Sequence, residues 1–358
     1  MTLKGVERAA KGVGIRAACA LMARTARPAG LPDWNEPTRV LVLRQDRIGD
    51  AIVSTGLFRA IRSVSPRIRV DVLASPRNAA LLRRDDDVQV VHVFDKRRPR
   101  TFGSLARRLR ATRYDAVVDC MMTAPSMTAL MLMMATGAPN RIGLAGRGVD
   151  AALTVAVPPL TGAEHIIDRM AALGMAFGLD PSATDWRPRL AVRPAERALA
   201  EDRWDTATLR GARRVLVNVS AGRPNRAWPE ARFVETILAI RRRHPDIGVA
   251  LVGSPADGSR VQAIAREAAA AAIPTPELAD VIALVATAHV VFTPDTSIVH
   301  MASAFRTPAL VMFPTREGAE QWGLYRSPGI DLVGDVESLE DLPTERVLAE
   351  LDVLIAGS

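Results

Sequence analysis

Three short segments of this 358-residue chain bring together residue types suited to group-transfer chemistry. The first, Arg44-Gln45-Asp46-Arg47-Ile48-Gly49-Asp50, places Gly49, where a backbone can approach a ligand closely, beside a carboxylate. Asp50 stands where a helix should begin, so it reads either as an N-cap or as a carboxylate presented to a substrate. The second runs from Ser220 through Gly222, Arg223 and Arg226 to Trp228 and Pro229. Guanidinium groups grip phosphate in bidentate fashion, so this loop suits an anion; a solvated turn stapled by Trp228 is the plainer reading. The third, Pro294-Asp295-Thr296-Ser297-Ile298-Val299-His300, opens a helix. The N–H groups at a helix start bind phosphate, and the dipole adds about 0.3–1 kcal/mol for a nearby anion. Here too the plain alternative stands: Asp295 as an ordinary N-cap, and His300, one turn in on the side of Thr296, as an ordinary helix residue.

Each segment follows an apolar run of strand length. Val40–Leu43 precedes the first, after which Ala51, Ile52, Thr55, Leu57, Phe58 and Ile61 recur at helical spacing up to Pro66. Val70–Leu73, Val88–Val93 and Ala116–Val118 are further β-rich runs with helical segments between them, the alternation of βαβ units around a parallel sheet. The pattern breaks from Asp185 to Pro194, a candidate linker and hinge, and then restarts at Val215–Val219. A helix from about Pro229, then Val249–Val252, Val290–Phe292 and Ala309–Phe313, complete a second doubly wound half. The expected domains are therefore 33–185 and 186–358, preceded by a leader of residues 1–32. Val347, Leu351 and Leu354 predict a terminal helix that crosses back to the first half. Ligands of such sheets sit beyond the carboxyl ends of the strands, where the three segments fall.

Six basic residues lie within positions 1–30 against Glu7 alone, so the leader carries most of the formal charge of +8. The remainder is too little for an extended nucleic-acid surface. Leu3, Val6, Ala10, Val13 and Ala17 recur at helical spacing beside those basic residues, the pattern of a helix lying on an anionic membrane; a disordered or loosely docked leader is the alternative. The apolar run Ala17–Ala23 is too short for a signal peptide, and the uncharged stretch 120–140 is interrupted by Pro125 and hydroxyl residues, so no transmembrane segment is expected. Two cysteines, Cys19 and Cys120, fit a reducing cytoplasm. No metal site is expected: the five histidines are scattered, and Asp85-Asp86-Asp87 reads as a solvated turn. The first segment is not G-x-G-x-x-G, and no G-x-S-x-G occurs, so dinucleotide-binding and hydrolase readings fail.

Together the segments resemble glycosyltransferase family 9, the bacterial lipopolysaccharide heptosyltransferases. The resemblance rests on R-V-L-V-L-R-Q-D-R-I-G-D (39–50), N-R-A-W-P (225–229) and D-T-S-I-V-H (295–300). Arg141-Ile142-Gly143, Phe313-Pro314-Thr315 and Trp322-Gly323 reinforce it. It implies an α/β protein of the GT-B fold, two Rossmann-like doubly wound domains facing a central cleft, with the acceptor held by the first and the donor by the second. It also implies inverting transfer without metal or other cofactor, from ADP-heptose to an anionic glycolipid such as a lipopolysaccharide core, on the cytoplasmic side of the inner membrane. Asp50 matches the general base, beside Gly49, and Arg226 the basic residue that steadies the leaving diphosphate. Thr296 and Ser297 match positions whose N–H groups hold the pyrophosphate, with Ser220, Gly222, Asp295 and His300 around them and Asp257 as a candidate for the ribose. Arg97, Arg98 and Arg100, with Arg107 and Arg108, form a basic cluster that either meets the acceptor or is a solvated face. The family's usual Asp-Thr-Gly is Asp-Thr-Ser here, and some members have lysine where Arg226 stands, which opens the donor's identity. A transferase with another nucleotide-sugar donor, and a degenerate nucleotide-sugar-binding protein, are the rival readings.

Overall fold

The computed structural model describes residues 3–25, 30–122, 124–207, 213–335 and 337–357. The chain forms two compact units, Met1–Trp186 and Arg187–Ser358. In chain order the first holds α1 (Leu3–Thr25), β1 (Thr38–Arg44), α2 (Ile48–Val64), β2 (Ile68–Ala74), α3 (Ala79–Leu82), β3 (Val91–Val93), α4 (Phe102–Thr112), β4 (Ala116–Asp119), α5 (Met127–Thr136), β5 (Asn140–Leu144), β6 (Val155–Val157) and α6 (Ile166–Ala171). The second holds α7 (Pro194–Ala207), β7 (Arg213–Asn218), α8 (Glu230–Arg243), β8 (Ile247–Val252), α9 (Gly258–Glu267), β9 (Ala271–Ala272), α10 (Leu278–Thr287), β10 (Val290–Pro294), α11 (Ser297–Phe305), β11 (Ala309–Phe313), α12 (Arg316–Trp322), β12 (Gly329–Val333) and α13 (Thr344–Ala356).

The two sheets share one topology. The first runs β3-β2-β1-β4-β5-β6 and the second β9-β8-β7-β10-β11-β12, every neighbouring pair parallel. Each is the doubly wound Rossmann order 3-2-1-4-5-6. The central strands are apolar on both faces because helices cover both sides: β1 is buried except at Arg39, and β10 and β11 are buried throughout. The strands that carry the most legible apolar runs are these central ones. β5, β6, β9 and β12 had no such signal: β5 contains Arg141 and Gly143, β9 has only two residues, and β12 is largely half-buried.

The leader departs from the sequence expectation. Ile15, Cys19 and Met22 of α1 enter the first unit's core with Leu130, Met133 and Ala152, so this part of the leader belongs to the fold. Arg141 of β5 donates from Nη2 to the Met22 carbonyl at 3.1 Å, a cation on the last turn of a helix. The stripe read from the sequence is the opposite face: Val13 is 57% exposed, and Ala17 is also exposed. The side chains of Leu3, Val6 and Ala10 lie outside the described residues. No helix among the described residues is long and apolar enough to cross a membrane. Val347, Leu348, Leu351 and Ile355 of the terminal helix α13 are buried in the core of the second unit, with α13 packed on α8.

Met22 is 1% exposed, so Met22→Ala should cost about 2–5 kcal/mol of stability in urea unfolding. Val13→Ser on the same helix should stay within about 0.5 kcal/mol of the parent. Equal, small effects at both positions would mean that α1 is not docked.

Candidate functional site: two loop clusters at the switch points

In each unit the winding direction reverses between the first and fourth strands, and the loops leaving β1, β7 and β10 carry the three segments singled out by sequence. In the first unit these are the loops after β1 and β4. Ser75 and Asn78, after β2, pin the turn beyond β1: Asn78 Nδ2 donates to the Arg44 carbonyl at 2.9 Å, and Ser75 Oγ to the Asp46 carbonyl at 2.9 Å. Asp50 is the third residue of α2, not its N-cap; Arg47 holds that place, without a side-chain cap bond. The backbone N–H of Arg47 favours the ionised form of the Asp50 carboxylate. Gly49 precedes it in the first turn.

Asp50 sits among charges that the sequence reading did not pick out. The buried Arg44 guanidinium lies 2.8 Å from Asp46 Oδ2 and 3.8 Å from Asp50 Oδ1. Asp119, at the end of β4, pairs with Arg147 at 3.3 Å. Burial, and then the Asp46 charge, push the Asp50 carboxyl above its ordinary value, against the pull of Arg44 and Arg47. Burial likewise raises Asp119, and it pushes the neighbouring Cys120 thiol up to about 12, which keeps that thiol neutral. A carboxylate of raised proton affinity is the better general base, provided the solution is alkaline enough to ionise it.

Arg97, Arg98 and Arg100 are exposed on the turn before α4, and Arg107 and Arg108 on α4 itself. Arg98 lies 3.8 Å from Asp95, and no hydrogen bond or ion pair among the described residues ties the three to the Asp46–Asp50 cluster. Asp85, in the segment read as a solvated turn, is half-buried beside the exposed Asp86, and desolvation raises its carboxyl to about 6.

In the second unit the loops after β7, β8 and β10 converge. Asn218, the buried last residue of β7, donates from Nδ2 to Thr293 Oγ1 at 2.9 Å and to Thr296 Oγ1 at 3.3 Å, and its Oδ1 accepts from the Ser220 N–H at 3.1 Å. This side chain, which sequence reasoning missed, fastens the loop after β7 to the start of α11. Ser220 Oγ donates to Asp257 Oδ2 at 2.6 Å and accepts from the Ser254 N–H at 2.7 Å, fastening the loop after β8 as well. Asp257 also accepts from Ser254 Oγ, so two serine hydroxyls already share one of its oxygens.

The N-R-A-W-P segment is built as an anchor and an arm. Trp228 is buried edge-on against Phe233 and Phe292, and its indole N–H donates to the Leu342 carbonyl at 3.0 Å. Held by that anchor, Arg226 reaches across to Asp295, with Nη1 2.7 Å from Oδ2 and 3.4 Å from the Asp295 carbonyl. Asp295 is therefore the arginine's partner and not the helix cap. Thr296 is the cap, its Oγ1 accepting from the Ile298 N–H at 3.3 Å, and Ser297 is the first residue of α11. His300 is buried one turn further on, its ring 6.0 Å from that of Trp322. Gly323 follows because a Cβ there would collide with the Asp331 carboxylate and the Ala319 carbonyl. Gly222 lies exposed with nothing against it, so the loop around it is open.

What results in the second unit is a helix N-terminus with an arginine beside it, an arrangement that attracts a dianion. In the first it is a half-buried carboxylate of raised proton affinity. Asn218→Leu should lower stability by at least roughly 1–3 kcal/mol, since Thr293, Thr296 and the Ser220 N–H each lose a buried partner. An unchanged melting temperature would mean that other groups tie these loops together.

Comparison with known proteins places this geometry in context. The family model of glycosyltransferase family 9 (heptosyltransferase) matches residues 102–327, more than half of the chain. Lipopolysaccharide heptosyltransferase 2 of Escherichia coli (strain K12) is 23% identical over 359 residues, 88% of this chain and 98% of that protein. Among solved structures, the glycosyl transferase family 9 protein of Veillonella parvula DSM 2008 is similar at a TM-score of 0.79 and 16% identity, over 93% of this chain and all of that one. The E. coli heptosyltransferase WaaC, solved with ADP, gives 0.72 and 18%, over 88% of this chain and 100% of that one. The chain, with its two Rossmann-like units of the GT-B class, belongs to glycosyltransferase family 9 and is a glycosyltransferase.

Proposed function

We propose that the protein transfers heptose from ADP-heptose to a lipopolysaccharide core or related surface glycan, with inversion and without a metal. The observation that supports this most directly is Arg226, 2.7 Å from Asp295 and beside the start of α11, where positive charge is needed to hold a diphosphate. In this reading the Ser297 N–H, at the head of the helix, and the Arg226 side chain take the diphosphate oxygens. The diphosphate competes with Asp295 for the guanidinium. Asp257 is the candidate for the ribose, with one oxygen committed to the serines.

Asp50 is the proposed base. Its carboxylate takes the proton of the acceptor hydroxyl, whose oxygen attacks the anomeric carbon on the face away from the diphosphate. The bond from that carbon to the diphosphate oxygen breaks, and ADP leaves with the electron pair, its new charge met by Arg226. Because the arginine and the helix dipole supply the positive charge, the reaction is proposed to proceed without a metal ion.

The exposed arginines 97, 98, 100, 107 and 108 are proposed to attract an anionic acceptor. The outward face of α1, with Val13, Ala17 and Leu21 and the nearby Arg16 and Arg24, is proposed to rest on the cytoplasmic face of the inner membrane. Deleting the leader would also strip Ile15, Cys19 and Met22 from the core. The contact is therefore tested with Val13→Glu and Leu21→Glu, which should reduce binding to anionic liposomes while leaving transfer to a soluble acceptor intact. Unchanged liposome binding would end that part of the account.

Asp50→Asn should lower turnover by roughly 10²–10⁴-fold with nucleotide affinity nearly unchanged. Arg226→Ala should weaken both ADP binding and turnover, and EDTA should leave the parent rate unchanged. Parental turnover in Asp50→Asn would reduce Asp50 to a helix-end residue, and parental ADP affinity in Arg226→Ala would remove its role at the diphosphate.

A further inference from the structure

Several polar atoms that are buried without a hydrogen-bond partner cluster at the end of β1: Arg44 Nε, both polar atoms of Gln45, and Asp46 Oδ1. Native proteins seldom leave such atoms unsatisfied, and a group of them beside a candidate base calls for a reason. Asp46 holds the central place, because its carboxylate and that of Asp50 share one guanidinium unequally: Arg44 Nη1 lies 2.8 Å from Asp46 Oδ2 but 3.8 Å from Asp50 Oδ1. We propose that Asp46 is a positioning residue for the transfer, holding Arg44 away from Asp50 so that Asp50 keeps the proton affinity of a base. The proposal rests on Asp50 being the base.

The physical argument is one of competition. An arginine alone beside Asp50 would hold it firmly ionised and make it a poor proton acceptor. Arg44 cannot escape to solvent, since its side chain is 2% exposed and its Nη2 rests on Met170 Sδ at 3.5 Å. Nor can its backbone shift freely, since Asn78 fastens the Arg44 carbonyl. Asp46 therefore takes most of the arginine's attraction and adds a negative charge of its own. The raised proton affinity of Asp50, due to burial and next to Asp46, agrees with this.

The other charges around the cluster are accounted for. Arg47 is in the same turn and favours the ionised form of Asp50. Asp119 and Cys120, at and just beyond the end of β4, lie within electrostatic reach of Arg44, and Asp119 is itself paired with Arg147. Of the elements packed on α2, α6 carries Asp168 and Arg169, β2 carries Arg69 and Asp71, the latter bonded to Tyr114, and α3 and the turn 172–177 carry no ionisable side chain. Among all these, Asp46 is the carboxylate that shares Arg44 with Asp50.

The test is an NMR titration of the full-length protein labelled at the aspartate carboxyl carbons, in which the Asp50 resonance is identified by its loss in Asp50→Asn. Asp46→Asn should move the Asp50 midpoint to lower pH by roughly one unit, the size expected from a charge within about 4–6 Å. Asp46→Glu, which keeps the charge, should restore most of the midpoint. Asp46→Ser provides the same reading where Asp46→Asn does not fold. An Asp50 midpoint unmoved by loss of the Asp46 charge overturns the proposal. The acid limb of kcat/KM, measured with ADP-heptose and an inner-core lipopolysaccharide acceptor, should shift downward with the resonance. A resonance that shifts while the limb stays put would overturn the base reading and leave the coupling between the two carboxylates standing.

Discussion

The reversal of winding direction inside each sheet is the constraint on which both loop clusters depend. Right-handed crossovers send the helices after successive strands to one face of a parallel sheet until the order reverses, and then to the other face. Where it reverses, at β1/β4 and at β7/β10, the two departing loops diverge and leave room beyond the strand ends. Everything that makes the candidate chemistry follows from that gap: the Arg44–Asp50 turn on one sheet, and Arg226, Asp295 and Thr296 on the other. In the second unit the gap is spanned by Asn218, which reaches from β7 to Thr293 near the end of β10 and to Thr296 beyond it.

Both clusters solve the same electrostatic problem with a tethered arginine. An isolated buried guanidinium would be costly, and a carboxylate partner offsets that cost while keeping the cation in place. Asp46 does this for Arg44 and Asp295 for Arg226. In the proposed transfer the two pairs are used differently. Arg226 is the cation that an incoming diphosphate must win from Asp295. Arg44 is a cation whose influence on the base has to be limited. The rigid surroundings, Trp228 in its aromatic cluster and Asn78 beneath the β1 turn, keep these distances from relaxing.

Much of this was legible in the sequence where the signal is local. Apolar runs marked the central strands because both faces of those strands are covered, and motif order marked the loops. The pairings were not legible, because Arg226 and Asp295 are 69 positions apart and meet only through the adjacency of β7 and β10. Asn218 gave no signal either, being one amide at the end of an apolar strand. The helix ends were misassigned by a residue or more: Asp50 and Asp295 both looked like caps, yet Arg47 and Thr296 occupy those places. The leader misled for a related reason. Its most regular apolar stripe faces solvent at Val13 and Ala17, whereas Ile15, Cys19 and Met22, less conspicuous in sequence, make the contacts with the core.

The central claim is that the second unit is an adenine-nucleotide sugar site, and nucleotide-dependent thermal stability tests it most directly. The melting temperature of the purified chain, without added metal, should rise with ADP and much less with UDP, GDP or CDP at equal concentration. For one site, ligand at a hundred times its Kd adds about 2.7 kcal/mol, a shift that is readily resolved. Selective stabilisation by another nucleotide would contradict ADP-heptose as the donor, and no response to any of the four would contradict the donor site itself.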